Sequence, residues 1–125
     1  EEGVAGVFED GWTAEEISVA CGPGEEGRRL EILLASPAEV PVGRRRVSVF
    51  RHGKRVLRER LARGEERLLS LPISGRGEEV SLVVSPVFQP AESGMGPDDR
   101  RLGVRCRRCD LVSPDGEKVS LLDHL

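Results

Sequence analysis

Tyrosine and asparagine are absent from this sequence, and tryptophan and methionine occur once each. Trp12, Phe8, Phe50 and Phe88 are its whole aromatic complement. So few rings provide no series of platforms on which the bases of a nucleic acid would stack. They also limit a sugar-binding face, which usually relies on aromatic surfaces. No apolar run approaches a membrane span, and no segment has the form of a signal peptide. Cysteine is scarce and odd in number: Cys21, Cys106 and Cys109. Three thiols without a leader fit a reducing cytoplasm, the compartment expected here, rather than a disulfide framework.

The signatures of catalysis are missing as well. There is no G-x-S-x-G, no P-loop and no dinucleotide fingerprint. Gly22-Pro23-Gly24 and Gly75-Arg76-Gly77 are too short to cradle a phosphate. His52 falls at a hairpin tip and His124 beside the C-terminus, neither with an evident nucleophile or carboxylate partner. Cys106-Arg107-Arg108-Cys109 has the spacing of half a zinc site, but such a site needs four ligands. The remaining candidates, Cys21, His52 and His124, are unpaired in spacing. The chain is therefore expected to be no enzyme by itself, and to hold no metal and no cofactor.

What is present is charge, unevenly placed. The 125 residues carry a net charge of −3, with 17 arginines and only two lysines. Residues 1–26 hold eight acidic side chains and no basic one. Residues 44–63 hold nine basic side chains against Glu59 alone. A basic run of this kind marks a phosphate-binding patch in some proteins. Without interleaved aromatics, the simpler expectation is that these arginines alternate outward along strands and pair with the acidic segment. Nucleic acid is not an expected partner on this reading.

Apolar residues alternate with polar ones in segment after segment. Ile17, Val19 and Cys21 share one parity, as do Leu30, Ile32 and Leu34, then Val47 and Val49, then Leu69, Leu71 and Ile73. Val80, Leu82 and Val84 continue the pattern, and Leu102, Val104 and Leu111 complete the expected core. Phe50 has the opposite parity to Val49. Arg51-His52-Gly53-Lys54 reads as a tight hairpin turn, with Gly53 supplying a positive φ. A helix over Val56–Arg67 would roughly fit Leu57, Leu61 and Leu68, but Gly64 favours strand, turn, strand.

Strands recurring about every ten residues between Gly and Pro predict seven or eight strands in an all-β antiparallel sandwich of the jelly-roll or galactose-binding-like kind. Residues 1–125 form one such domain, with residues 1–9 a linker and 113–125 a C-terminal tail. Val119–Leu125 is expected to form a short helix or fray. The start at Glu1-Glu2, without methionine, suggests a piece excised from a longer protein.

Between the last two long strands runs a connection from Phe88-Gln89-Pro90 to Asp98-Asp99-Arg100-Arg101. Phe88, Pro90, Ala91, Glu92, Asp98, Asp99, Arg100, Arg101, Leu102, Gly103, Val104 and Leu111 together resemble the C-terminal signature of a small β-sandwich domain found in large bacterial glycosyltransferase and methyltransferase polypeptides. Gly11-Trp12 matches upstream, so the resemblance spans roughly Asp10 to Leu111. It implies a carbohydrate-binding-module-like accessory domain whose partners are a glycan and the neighbouring catalytic domain of the same polypeptide. In that pattern Cys106 and Cys109 stand where Val and Leu would sit, which makes them core residues. Parity then requires a bulge near Arg107-Arg108, because the two positions are three apart.

Trp12, Asp98, Asp99, Arg100 and Arg101 are the candidate ligand residues. Trp12 is either a stacking platform or a cap on the open end of the core. Asp98 and Asp99 suit sugar hydroxyls, or a structural calcium ion held with loop carbonyls. The preferred reading is that they pin the loop by bonds to Arg100, Arg101 or backbone N–H groups. Phe88 should anchor the loop's start, and Gly103 should admit a close neighbour. A purely structural or protein-interaction module is the alternative to a glycan-binding one.

Overall fold

The computed structural model describes residues 2–123. Period-2 alternation becomes nine strands: β1 (Gly3–Val7), β2 (Thr13–Cys21), β3 (Arg29–Ser36), β4 (Arg45–Arg51), β5 (Lys54–Leu61), β6 (Glu65–Pro72), β7 (Glu78–Ser85), β8 (Arg105–Val112) and β9 (Lys118–Ser120). They form two antiparallel sheets, ordered β1-β2-β7-β4-β5 and β6-β3-β8-β9. The fold is the expected all-β sandwich. No helix occurs among the described residues, and so none long and apolar enough to cross a membrane.

The inward parity of each strand meets its counterpart between the sheets. Ile17, Val19, Leu30, Ile32, Leu34, Val47, Val49, Leu82 and Val84 are all sealed from solvent there. Burying each such side chain stabilises the fold by about 1.5–3 kcal/mol before the entropy of ordering the chain is set against it. Leu69, Leu71, Val80, Leu102, Val104 and Leu111 are buried too, so every residue expected in the core is found there.

Both ends of the chain depart from expectation. The first residues contain strand β1, which pairs with β2 from Gly3↔Ala20 to Val7↔Thr13, instead of serving only as a linker. The tail pairs as well: β9 lies along β8 and brings Leu121 into the core. The helix or fraying expected over Val119–Leu125 is therefore replaced by strand at its start. His124 and Leu125 lie outside the described residues.

Elsewhere the turn chemistry holds. Gly64 adopts a φ of +79° between β5 and β6, which excludes a helix through Val56–Arg67. His52 and Gly53 have φ of 51° and 75°, the pair of positive angles that a type I′ hairpin requires. In β8, Leu33 faces Arg108 and Leu34 faces Cys106, so Arg107 is the extra residue of a bulge. That bulge restores the parity of Cys106 and Cys109, and both are buried.

Burial pushes the Cys21 thiol up to about 11 and the Cys106 thiol up to about 12, and it raises Cys109 further. Thiols so protonated and enclosed are poor nucleophiles. Ellman's reagent is expected to leave all three unmodified in the native protein and to titrate them fully in denaturant. Rapid modification of one thiol under native conditions would contradict this packing.

Candidate functional site

The long loop between β7 and β8 closes one end of the sandwich. Phe88 is buried, and it exchanges backbone hydrogen bonds with Leu102 at 3.0 and 2.8 Å. Phe88, Val40 and Leu102 form a second small core, against which Phe8, Trp12 and Val42 pack. Trp12 meets Phe88 edge-on, with centroids 5.5 Å apart, and the Arg105 guanidinium lies 5.5 Å from its ring centroid. Phe88 and Arg105 occupy this ring, so it caps the end of the core.

Of the candidate ligand residues, Asp98 and Arg100 come together. Arg100 Nη2 donates to Asp98 Oδ2 at 2.7 Å and Nε donates to Oδ1 at 3.0 Å. The same guanidinium reaches Asp10 Oδ2 at 2.7 Å and sits 4.7 Å from the centroid of Phe8. Asp99 remains exposed; only its backbone oxygen is engaged, by Gln89 Nε2 at 2.8 Å. Arg101 is exposed as well. The loop is thus pinned by Asp98, Arg100 and Asp10, the last of which sequence reasoning left out. Asp98→Ala is expected to lower the melting temperature and Asp99→Ala to leave it unchanged.

Hydrogen bonds from Arg100 hold the Asp10 and Asp98 carboxyls below their ordinary value of 3.8. A carboxyl lowered in the folded state stabilises the fold above its unfolded value, and that stability is lost as pH falls through the folded value. Stability should therefore decline from about pH 4 downward. In Arg100→Gln the same decline should be shallower, as measured by urea melts across that range.

The arginine-rich segment does not behave as expected. Among the described residues, Arg51 alone of its nine basic side chains has a carboxylate within ion-pair distance. That carboxylate is Glu78 at 2.9 Å, not a residue of the acidic first segment. Arg45 turns inward instead, with the parity of Val47 and Val49, and is fully buried. Its Nε donates to Pro86 O at 2.9 Å, its Nη2 donates to Gly103 O and Leu102 O, and its guanidinium lies 5.4 Å from the Phe88 ring centroid. Burial lowers its pKa to about 10, so it stays charged at neutral pH.

Arg46, Arg55, Arg58 and Arg60 stand on the outer face of the five-stranded sheet. Register places Glu16, Val83, Ser48 and Arg58 in one row across β2, β7, β4 and β5. The next rows are Ser18, Ser81, Phe50 and Arg55 on one side, and Ser85, Arg46 and Arg60 on the other. Carboxylates thus border one side of this face and arginines the other, with serines and one partly exposed phenylalanine between. A cleft of ≈ 470 Å³ opens here, lined by Glu16, Phe50, His52, Glu79, Ser81 and Val83. Its volume falls within the roughly 300–1,000 Å³ typical of small-ligand sites.

Comparison with protein-family models, with curated proteins and with solved structures found no match. The chemistry of the face therefore rests on its own residues. Among the described residues no three of His, Cys, Asp and Glu gather as a metal-ligand set. The cleft pairs hydrogen-bond acceptors at Glu16 and Glu79 with a hydroxyl at Ser81 and the ring of Phe50. Such a set holds a polyhydroxylated ligand by its hydroxyls and its apolar edge. Sequence reasoning gave Phe50 its outward parity but no role, because Ser81 and Ser18, its neighbours on the β7 and β2 side, lie more than 25 residues away in the chain.

Proposed function

We propose that this domain is a non-catalytic accessory module of a bacterial glycosyltransferase-like protein, and that it binds a glycan along the outer face of its five-stranded sheet. The observation that carries the reading is the cleft beside Phe50, where carboxylates, a hydroxyl and an aromatic ring converge. The resemblance of the Phe88–Leu111 stretch supports the accessory role, including a neighbouring catalytic domain as partner. On this reading the module's work is to hold a chain for chemistry performed elsewhere.

A glycan-array screen of the isolated domain, followed by calorimetric titration of the best ligand, tests this. Phe50→Ala is expected to abolish binding and Glu79→Gln to weaken it about tenfold, as for a lost charge-assisted hydrogen bond. His52→Asn keeps a residue suited to the positive φ of the turn, so it isolates the contribution of the imidazole. Failure of every glycan to bind would sink the proposal.

The alternative, a protein-interaction module without a small ligand, has its own observation. Val56 on β5 and Leu68 on β6 are about half exposed, at 48% and 46%, on the edge strands of the two sheets. A glycan array without binding, together with concentration-dependent self-association abolished by Val56→Lys, would favour it.

A further inference from the structure

The same face carries a second depression. A cleft of ≈ 330 Å³ lies at the end of β4 and β7, lined by Arg44, Arg45, Arg46, Arg60, Ser85 and Pro86. Arg46 faces Arg60 on β5 and Ser85 on β7. Arg44, Arg46 and Arg60 have no carboxylate within ion-pair distance among the described residues.

Their neighbour Arg58 reports the crowding. Its pKa is lowered mainly by Arg55, with Arg46 and Arg60 adding to the effect. Like charges are thus gathered on one patch without internal compensation, although carboxylates outnumber basic side chains in the chain, 22 to 19.

The two depressions share a track. From Phe50 to Arg46 is four residues along β4, about 13 Å at 3.3 Å per residue. Between them the face is floored by Ser48 and Val83, small side chains directly opposite each other. A short chain lying on this track would rest one end on Phe50 and bring its other end to the arginines.

We infer that the Arg44–Arg46–Arg60 cleft receives the oxyanion of an acidic sugar, a carboxylate, sulfate or phosphate, in the glycan that rests on Phe50. The inference builds on the glycan reading and specifies its substrate class. Paired guanidiniums present planar forks that match oxyanion geometry, and Ser85 adds a hydroxyl donor. Glu16 and Glu79 on the far side disfavour a ligand charged along its whole length. A nucleic-acid strand crossing the face would set phosphates against them, so one localised anionic group fits this charge pattern better.

Matched probes test this: a uronic-acid trisaccharide and its methyl ester, and galactose oligomers with and without a sulfate or phosphate. Each is titrated into the native protein, into Arg46→Ala/Arg60→Ala, and into Lys118→Ala, which removes a positive charge on the other sheet. An acidic probe is expected to bind about tenfold or more tightly than its neutral partner, to lose that margin only in the double arginine variant, and to respond to salt with a slope near one charge. Neutral and acidic probes bound equally tightly by the native protein would overturn the inference and leave the glycan reading intact. If no sugar binds, both fall. Oligothymidylate bound through the same arginines with a steep salt slope, while acidic sugars are ignored, would replace both with a polyphosphate site.

Discussion

Arg45→Ala is expected to lower the unfolding free energy by about 3–5 kcal/mol, the largest loss from any single substitution considered for this domain. The side chain is fully buried and joins β4 to both ends of the long loop, through Pro86 on one side and Leu102 and Gly103 on the other. Leu102 O keeps a second donor, Phe88 N, but no other hydrogen bond reaches Pro86 O or Gly103 O among the described residues. The buried Gly103 O left bare costs about 1–3 kcal/mol, the exposed Pro86 can turn its carbonyl to water, and the vacated volume adds a cavity term.

Against this runs a real gain. A buried cation with no carboxylate is costly, as its lowered pKa and the unpartnered Nη1 both indicate. Arg45→Met separates the contributions, because it refills the space, removes the charge and still strands the buried Gly103 carbonyl. Its expected cost is about 2–3 kcal/mol. Urea denaturation of both variants measures the difference. Losses under about 1 kcal/mol in each would show that the guanidinium does not hold the loop.

The second large effect belongs to Gly103. Its φ lies outside the left-handed region, so the demand for glycine comes from contact. A methyl group there would stand 2.5 Å from Thr13 Oγ1, 2.8 Å from Ala14 O and 3.3 Å from Val84 Cβ. None of these yields easily. Thr13 Oγ1 accepts from Val104 N at 3.1 Å, and Thr13 O accepts from Gly103 N at 2.8 Å. Gly103→Ala is expected to cost about 2–3 kcal/mol, the upper part of the range for overpacked sites. Gly3→Ala, with open space around the added methyl, should be neutral or slightly stabilising. Equal melting temperatures for the two variants would mean that the loop relaxes around residue 103.

How far the sequence foretold these features depends on their range in the chain. Alternation is local, and it named Val19, Ile32, Val49 and Leu82 as core without any partner being known. The bulge beside Arg107 followed from the three-residue spacing of Cys106 and Cys109. Arg45 was overlooked because an arginine run suggests solvent, although its parity matches Val47 and Val49. Asp10 was missed as a partner of Arg100 because 90 residues separate them. The outer face was hidden for the same reason. Sheet order, not periodicity, sets Ser18, Ser81, Phe50 and Arg55 side by side, and nothing in a period of two encodes which strands become neighbours. Strands β1 and β9 escaped notice because they are short, and Gly3 and Gly6 weaken the pattern of the first.

Strand β5 is the last of its sheet, with one row of backbone N–H and C=O groups lacking a neighbouring strand. Such an edge is a template on which another chain can add, and charged side chains are the usual deterrent. Lys54, Arg55, Arg58 and Arg60 all stand exposed on this strand. A second copy approaching edge to edge would bring the two clusters together, and their repulsion keeps the copies apart. The arginines thus guard solubility whether or not a ligand is present. Exchanging Arg55, Arg58 and Arg60 together for threonine would leave each domain folded, yet open the border of the sheet to aggregation.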